Sequence, residues 1–338
     1  MKKYKIAIVG ATGAVGREML RCIFQFNFPF ESIKLLASAR SAGKIIEFEN
    51  KKFTVEELTE DSFKGIDVAF WSAGGSISEK YVPFAVKAGC INIDNTSHFR
   101  MDPNVPLVVP EVNGEALRKH KGIIANPNCT TIQMVSALNR LNEYFDIERI
   151  IVSTYQAVSG AGVAGMEELY RQSQEVLEGK EPVAKTLPCA SDKKHFPIAF
   201  NCIPQVDKFD LDNHFSKEEM KMVNETKKIF NKDIKVNATC VRVPVLRGHS
   251  ESVYIETKKP IDIDKVFELL NNSTGVELYD DLENQMLPGP SIASMFIIPL
   301  SYHRFSDSDS LRLQPKALLP CSHDQNTLCL ISNSVKYR

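Results

Sequence analysis

Residues 126–130 read Asn-Pro-Asn-Cys-Thr, and Cys129 is the side chain best placed to do covalent chemistry. An apolar run, Gly122-Ile123-Ile124-Ala125, leads into it, and an apolar helical face, Ile132, Val135, Leu138 and Leu141, leads away. The pattern places Cys129 at a helix N-terminus, where unpaired N–H groups and the helix dipole favour a thiolate. Such a setting lowers a cysteine pKa from ~8.5 to roughly 3.5–7.5. The rival reading is a buried structural thiol, because free cysteine is among the most buried residue types. His249 lies in Arg247-Gly248-His249-Ser250, where two predicted strands meet, and histidine is the usual general acid or base near neutrality. A loop histidine bonded to backbone is the alternative. Arg242 sits among valines in a predicted strand and needs a partner, either a substrate carboxylate or a structural ion pair.

These groups need elements to hold them. Residues 4–9 read as a buried strand, followed by Gly10-Ala11-Thr12-Gly13-Ala14-Val15-Gly16 and a helix to about Phe26. Strand, glycine turn and helix N-terminus come in the order that receives a dinucleotide pyrophosphate, with G-x-x-G-x-x-G as a variant of the usual spacing. The second strand, Ile33–Ala37, ends in Ser38-Ala39-Arg40-Ser41, with no acidic residue for a ribose 2′-hydroxyl. Hydroxyls and a guanidinium suit a 2′-phosphate, so NADP is preferred over NAD. A solvated loop charge is the rival reading of Arg40. Ile66–Trp71 and Ile91–Asp94 read as further strands, with a helix from about Ser78 to Ala88 between them. Their polar loops, Ser72–Gly75 and Asn95–Ser97, face the cofactor crevice in such a sheet.

Further on, a long strand runs from Glu148 to Val158, carries Gln156 and breaks at Ser159-Gly160-Ala161-Gly162. Residues 216–230 read as a helix opened by a Ser216/Glu219 capping box. Glu218 and Lys221 share one face of it, which on spacing alone is a surface ion pair.

Bulk properties narrow the class. A chain of 338 residues with 43% apolar and 25% charged residues is a globular protein of two domains. A net charge of −1 without a basic run argues against a nucleic-acid surface. No stretch of about 18 apolar residues marks a membrane span. The eight cysteines form no C-x-x-C pair and the seven histidines no H-x-x-x-H pair, so neither a disulfide framework nor a metal site is expected, and a reducing cytoplasm is the simplest location.

Taken together, six segments in order resemble the aspartate-β-semialdehyde dehydrogenase family over residues 4 to about 286. They are the glycine turn, Leu36–Gly43, Phe70–Gly75, Asn126–Gln133, Ser153–Gly162 and Arg242–Glu251. The resemblance implies an α/β fold, with an N-terminal Rossmann-type NADP-binding domain (1–128) and an α+β catalytic and dimerisation domain (129–286), assembled as a homodimer. It implies reversible, NADPH-dependent reduction of aspartyl 4-phosphate to aspartate 4-semialdehyde with release of inorganic phosphate. By motif, Cys129 matches the thiol that forms the acyl-enzyme, Gln156 the residue that orients substrate and His249 the acid–base group. Arg242 matches the grip on the substrate carboxylate and Glu218 the partner of its amino group. Arg100 and Lys221 match the phosphate binders, and Asn128 helps to hold substrate and phosphate. The cofactor candidates are Gly10, Thr12, Gly13, Ala14, Val15, Ser38, Arg40, Ser41, Ser72, Gly74, Ser159 and Gly160. Reduction of an N-acetylglutamyl phosphate is the alternative reaction, which Glu218 disfavours because an acetylated amine carries no charge. An inactive relative that keeps only the fold is the third reading.

Residues 287–338 depart from the family pattern. They contain no glutamate, one glycine and prolines at 288, 290, 299, 315 and 320, with no sustained strand or helix period. A shift of reading frame near codon 287 and a divergent tail are the two readings. If the tail is real, one strand edge of the second domain is expected to be uncovered, with weakened NADP binding and poor solubility.

Overall fold

A computed structural model describes residues 2–278 throughout and, beyond them, the backbone of residues 296–298, 300–301 and 327–333. The first sheet is built from β1 (Tyr4–Val9), β2 (Phe30–Ala37), β3 (Ile45–Phe48), β4 (Lys51–Glu57), β5 (Val68–Trp71), β6 (Ile91–Asp94) and β7 (Ile123–Ala125). Its order is β3-β4-β2-β1-β5-β6-β7, parallel throughout except for the β3–β4 pair. Ile6, Ala7, Ile8 and Val9 are fully buried, as expected of a central strand covered on both faces. Helices α1 (Ala14–Gln25) and α2 (Gly75–Lys87) follow β1 and β5, and a single turn, α3 (Pro110–Asn113), precedes β7. α2 starts three residues before the expected Ser78, directly after the positive-φ residue Gly74.

Helix α4 (Cys129–Phe145) leaves β7 and leads into the second sheet. Met134, Val135, Leu138 and Leu141 of α4 have no measurable exposure; Met134, Leu138 and Leu141 form the core between helix and second sheet, whereas Val135 packs with Val105, Leu107, Val109 and Ala125. The second sheet contains β8 (Ile147–Gln156), then, after α5 (Gly162–Leu177) and α6 (Lys217–Phe230), β9 (Lys235–Arg242) and β10 (Ser250–Thr257). α7 (Ile263–Asn271), β11 (Val276–Leu278), β12 (Phe296–Ile298), β13 (Leu300–Ser301) and β14 (Thr327–Asn333) complete the described elements. The path is β11-β12-β14-β10-β8-β9, with β13 also on β14.

Two expectations need correction. β9 and β10 do not meet as neighbours: β8 lies between them, parallel to β9 and antiparallel to β10. The β10 edge is not uncovered either, because β14, drawn from the departing tail, runs antiparallel along it from Ser250↔Asn333 to Glu256↔Thr327. The tail positions apart from 296–298, 300–301 and 327–333 lie outside the described residues, and the proposed frame shift near codon 287 lies there with them.

Candidate active site

Cys129 is the first residue of α4, as its flanking pattern predicts, and its side chain reaches solvent. Asn128 is the N-cap. Its Oδ1 accepts the N–H groups of Thr130 at 3.0 Å and Thr131 at 3.3 Å. The cap therefore occupies two of the donors that the helix start would have offered to an oxyanion. Among the described residues the N–H of Cys129 itself has no partner.

The second sheet brings three more groups to the same place. Gln156 ends β8 and pairs with Arg242, which ends the parallel strand β9. β10 runs the other way, so its first residue, Ser250, lies beside Tyr155, and His249 precedes it at the same end of the sheet. All three side chains are buried. Arg242 Nη1 donates to the Ala157 carbonyl at 2.7 Å, and its buried Nε has no partner among the described residues. Nδ1 of His249 accepts the Ala157 N–H at 2.9 Å, so the neutral ring carries its proton on Nε2.

Helix α6 supplies the charges. Ser216 and Glu219 form the capping box read from the sequence. The surface ion pair expected from spacing is instead an interior one. Glu218 is 5% exposed, and its carboxylate accepts from Asn128 Nδ2 at 2.9 Å, Gln156 Nε2 at 3.3 Å and Lys221 Nζ at 3.0 Å. Lys221 also pairs with Asp207 at 3.0 Å. One and two turns further along α6 are residues that spacing did not single out. Glu225 pairs with Arg100 at 3.0 Å and accepts the Asn128 N–H at 2.6 Å. Lys228 donates to the carbonyls of Arg100, Asp102 and Val105. The 218, 221, 225, 228 spacing puts these charges on one helical face, which was the available sequence signal.

The electrostatics differ from the simple helix-terminus argument. Burial and then Glu218 push the Cys129 thiol up to about 12, against the opposing pull of Arg100, Arg242 and the Thr130 N–H. This corrects the expectation of a thiolate in the free site. Residue 129 is exposed and yet its thiol carries a desolvation penalty, because protein mass surrounds it. For reactivity the contact with solvent counts first, since a substrate can reach the sulfur. Burial pushes Glu218 up, but Lys221, the Asn128 amide and Arg242 outweigh it and hold the carboxyl below its usual value. Burial and Arg242 push His249 down to about 4. A neutral imidazole with Nδ1 occupied presents its Nε2–H as a hydrogen-bond donor.

The nucleotide end is a separate feature at the carboxyl ends of β1, β2 and β5. Gly10 has φ +86°, and a Cβ there would lie 2.9 Å from the Ser72 carbonyl carbon. Gly13 caps α1 with no side-chain acceptor, so the first N–H groups of α1 remain for an anion. Thr12 and Ala14 are half-buried, and Val15 is exposed beside them. Ser38 caps a short 3-10 turn at Ala39–Ser41, with Arg40 exposed and in no ion pair among the described residues. Ser72 follows β5, and Gly74 caps α2. Ser159 and Gly160 open the turn before α5, which packs against α1. A Cβ on Gly160 would lie 2.7 Å from Arg242 Nη1. Glycine cradle, free helix start and basic loop fit a nicotinamide dinucleotide. Among the described residues no His/Cys/Asp/Glu cluster is arranged to hold a metal, and no helix is long and apolar enough to cross a membrane.

A nucleotide-binding sheet beside a crevice thiol defines a class, the nicotinamide-dependent dehydrogenases that act on a carbonyl carbon through cysteine. Residues 5–120 match the NAD-binding domain of the semialdehyde dehydrogenases, and residues 138–295 match their dimerisation domain. The aspartate-semialdehyde dehydrogenase of Bacillus subtilis is 52% identical over 290 residues, 85% of this chain and 84% of that protein. That of Campylobacter jejuni is 53% identical over 87% of this chain and 85% of its own. The crystal structure of aspartate semialdehyde dehydrogenase II from Vibrio cholerae complexed with ASA superposes with a TM-score of 0.87 at 40% identity, covering 99% of this chain and 94% of that one. This chain belongs to the aspartate-semialdehyde dehydrogenase family.

Proposed function

We propose that this protein reduces L-aspartyl 4-phosphate to L-aspartate 4-semialdehyde, reversibly and with NADPH, on the route to lysine, threonine, methionine and isoleucine. The observation that carries the reading is the pair of fixed charges beside the thiol. Glu218 and Arg242 both lie within electrostatic reach of Cys129, and they match the ammonium and carboxylate of an amino acid. Glu218 is held ionised, which suits a free ammonium and leaves the N-acetylated alternative with a buried, unpaired carboxylate. The presence of Cys129, Gln156 and His249 at one sheet end opposes an inactive relative.

Cys129 attacks the acyl carbon of the acyl phosphate. The C–O bond to phosphate breaks, a C–S bond forms, the thiol proton passes to water and a thioester remains. Arg100 and Lys221 receive the departing phosphate. Gln156 orients the carbonyl, while Nε2–H of His249 and the Cys129 N–H donate to its oxygen as negative charge develops there. When bound, the reduced nicotinamide supplies a hydride to the thioester carbon. The resulting thiohemiacetal collapses, the C–S bond breaks, the aldehyde leaves and the departing thiolate takes its proton from Nε2–H of His249, which recovers one from the hydroxyl of the thiohemiacetal.

Arg40, Ser38 and Ser41 take the 2′-phosphate of NADP on this reading. Residues 1–128 are the cofactor domain, and 129–286 are the catalytic and dimerisation domain. Ile151 and Tyr155, exposed on one face of β8, support self-association as a homodimer. A cytoplasmic location follows from the reaction's soluble substrates. The test is phosphate-dependent NADPH formation from aspartate semialdehyde, run beside Cys129→Ala. Phosphate-dependent activity lost in the variant is expected. A folded wild-type protein that forms no NADPH under these conditions would refute the reading.

A further inference from the structure

Glu225 lies outside every motif that carried the functional reading, and it is 1% exposed. It joins three separate segments. Oε1 accepts from Arg100 Nη1 at 3.0 Å, in the loop after β6. Oε2 accepts the backbone N–H of Asn128 at 2.6 Å, at the start of the nucleophile helix. Its own helix, α6, carries Glu218 and Lys221. Among the described residues the Arg100 guanidinium is otherwise held only by Nη2 on the Asn95 carbonyl at 2.8 Å, and its buried Nε has no partner. A cleft of about 230 Å³ opens onto this pair, lined in part by Lys217, Lys221 and Asn224.

We propose that Glu225 is a positioning residue for the phosphate step: one buried carboxylate fixes the Arg100 guanidinium relative to the N-cap that carries Cys129. The inference rests on the reading of Arg100 as a phosphate ligand. The geometry requires two acceptor oxygens, because both partners are donors. A glutamine offers one acceptor and an NH₂ group, so it satisfies Arg100 or Asn128 and faces the other with a donor. Glu225 touches Arg100 directly, whereas it reaches the Glu218 carboxylate only across Asn128 and along α6.

The experiment measures phosphate and semialdehyde kinetics for the wild-type protein, E225Q, E225D, R100A and R100A/E225Q. E225Q is expected to raise KM for phosphate about tenfold or more, the effect of losing one charged hydrogen bond, with KM for the semialdehyde within about twofold. E225D keeps both acceptors on a shorter stem and is expected to fall between, which also covers an E225Q protein that does not fold. Added to R100A, E225Q is expected to change phosphate KM no further, because it acts through the same guanidinium. Full additivity in that cycle, or a phosphate KM left within about twofold in both Glu225 variants, would overturn the inference. So would equal rises in both KM values. A wild-type protein whose activity ignores phosphate would remove the phosphate site itself and the inference with it. A phosphate-dependent wild type with indifferent Glu225 variants removes the inference alone.

Discussion

A Cβ on Gly160 would stand 2.7 Å from Nη1 of Arg242, so the glycine in the turn before α5 leaves the room in which that guanidinium lies. The guanidinium cannot give way freely, since that same Nη1 donates to the Ala157 carbonyl at 2.7 Å. Gly160→Ala is therefore expected to raise KM for the semialdehyde about tenfold, with phosphate KM little changed. Steady-state kinetics check this, and an unchanged semialdehyde KM would show that Arg242 has room to move.

Glu218 is the second cause, after burial, of the raised Cys129 thiol. Removing its charge lowers that pKa, so Glu218→Gln is expected to react faster with iodoacetamide at mildly alkaline pH, although it turns over substrate more slowly. Binding of the substrate ammonium has the same sign, because it offsets the same carboxylate. The check is the pH profile of alkylation at Cys129. A profile that does not shift towards lower pH in the variant would contradict the proximity of the two groups.

His249 is neutral in the folded protein down to about pH 4, whereas an unfolded histidine titrates near 6.5. The depressed value means that the unfolded chain binds the extra proton first as pH falls. Stability is therefore present above pH 6.5 and is lost from there towards pH 4. The shift corresponds to at most about 3 kcal/mol. Urea midpoints of the wild type and His249→Gln, compared across this window, are expected to converge or cross as the wild type weakens. Parallel curves would show that the ring is solvated.

Arg40 stands exposed after β2, where an acidic residue would favour NAD. Arg40→Ala is expected to lower kcat/KM with NADP by about ten- to a hundredfold and to leave NAD nearly unchanged. An unaltered NADP to NAD ratio would place the 2′-phosphate elsewhere.

What was legible in the sequence was local. β1, the glycine turn and α1 follow one another within 22 residues, and each carries its own signal: an apolar run, then Gly10, then a helix start. Cys129 at a helix N-terminus and the Ser216/Glu219 capping box are likewise set by neighbours a few residues away. The failures were all non-local. Glu218 looked like a surface charge until Asn128 and Gln156 closed over it. The neighbours of β10 are β8 and β14, which its short connection to β9 does not reveal. The hairpin of β3 and β4 carries only a weak sequence signal, because most of its residues face solvent at the edge of the first sheet. The thiol argument failed for the same reason. Helix position is written in adjacent residues, whereas burial and the Glu218 charge come from segments far along the chain.

The most direct test of the covalent route is intact-mass and peptide spectrometry of the protein mixed with aspartate semialdehyde and NADP⁺ in the absence of phosphate. An acyl adduct that maps to Cys129, is cleaved by hydroxylamine and disappears on addition of phosphate is the predicted result. The absence of any adduct in protein that turns over substrate, or an adduct on the exposed Cys202 in place of Cys129, would contradict the account.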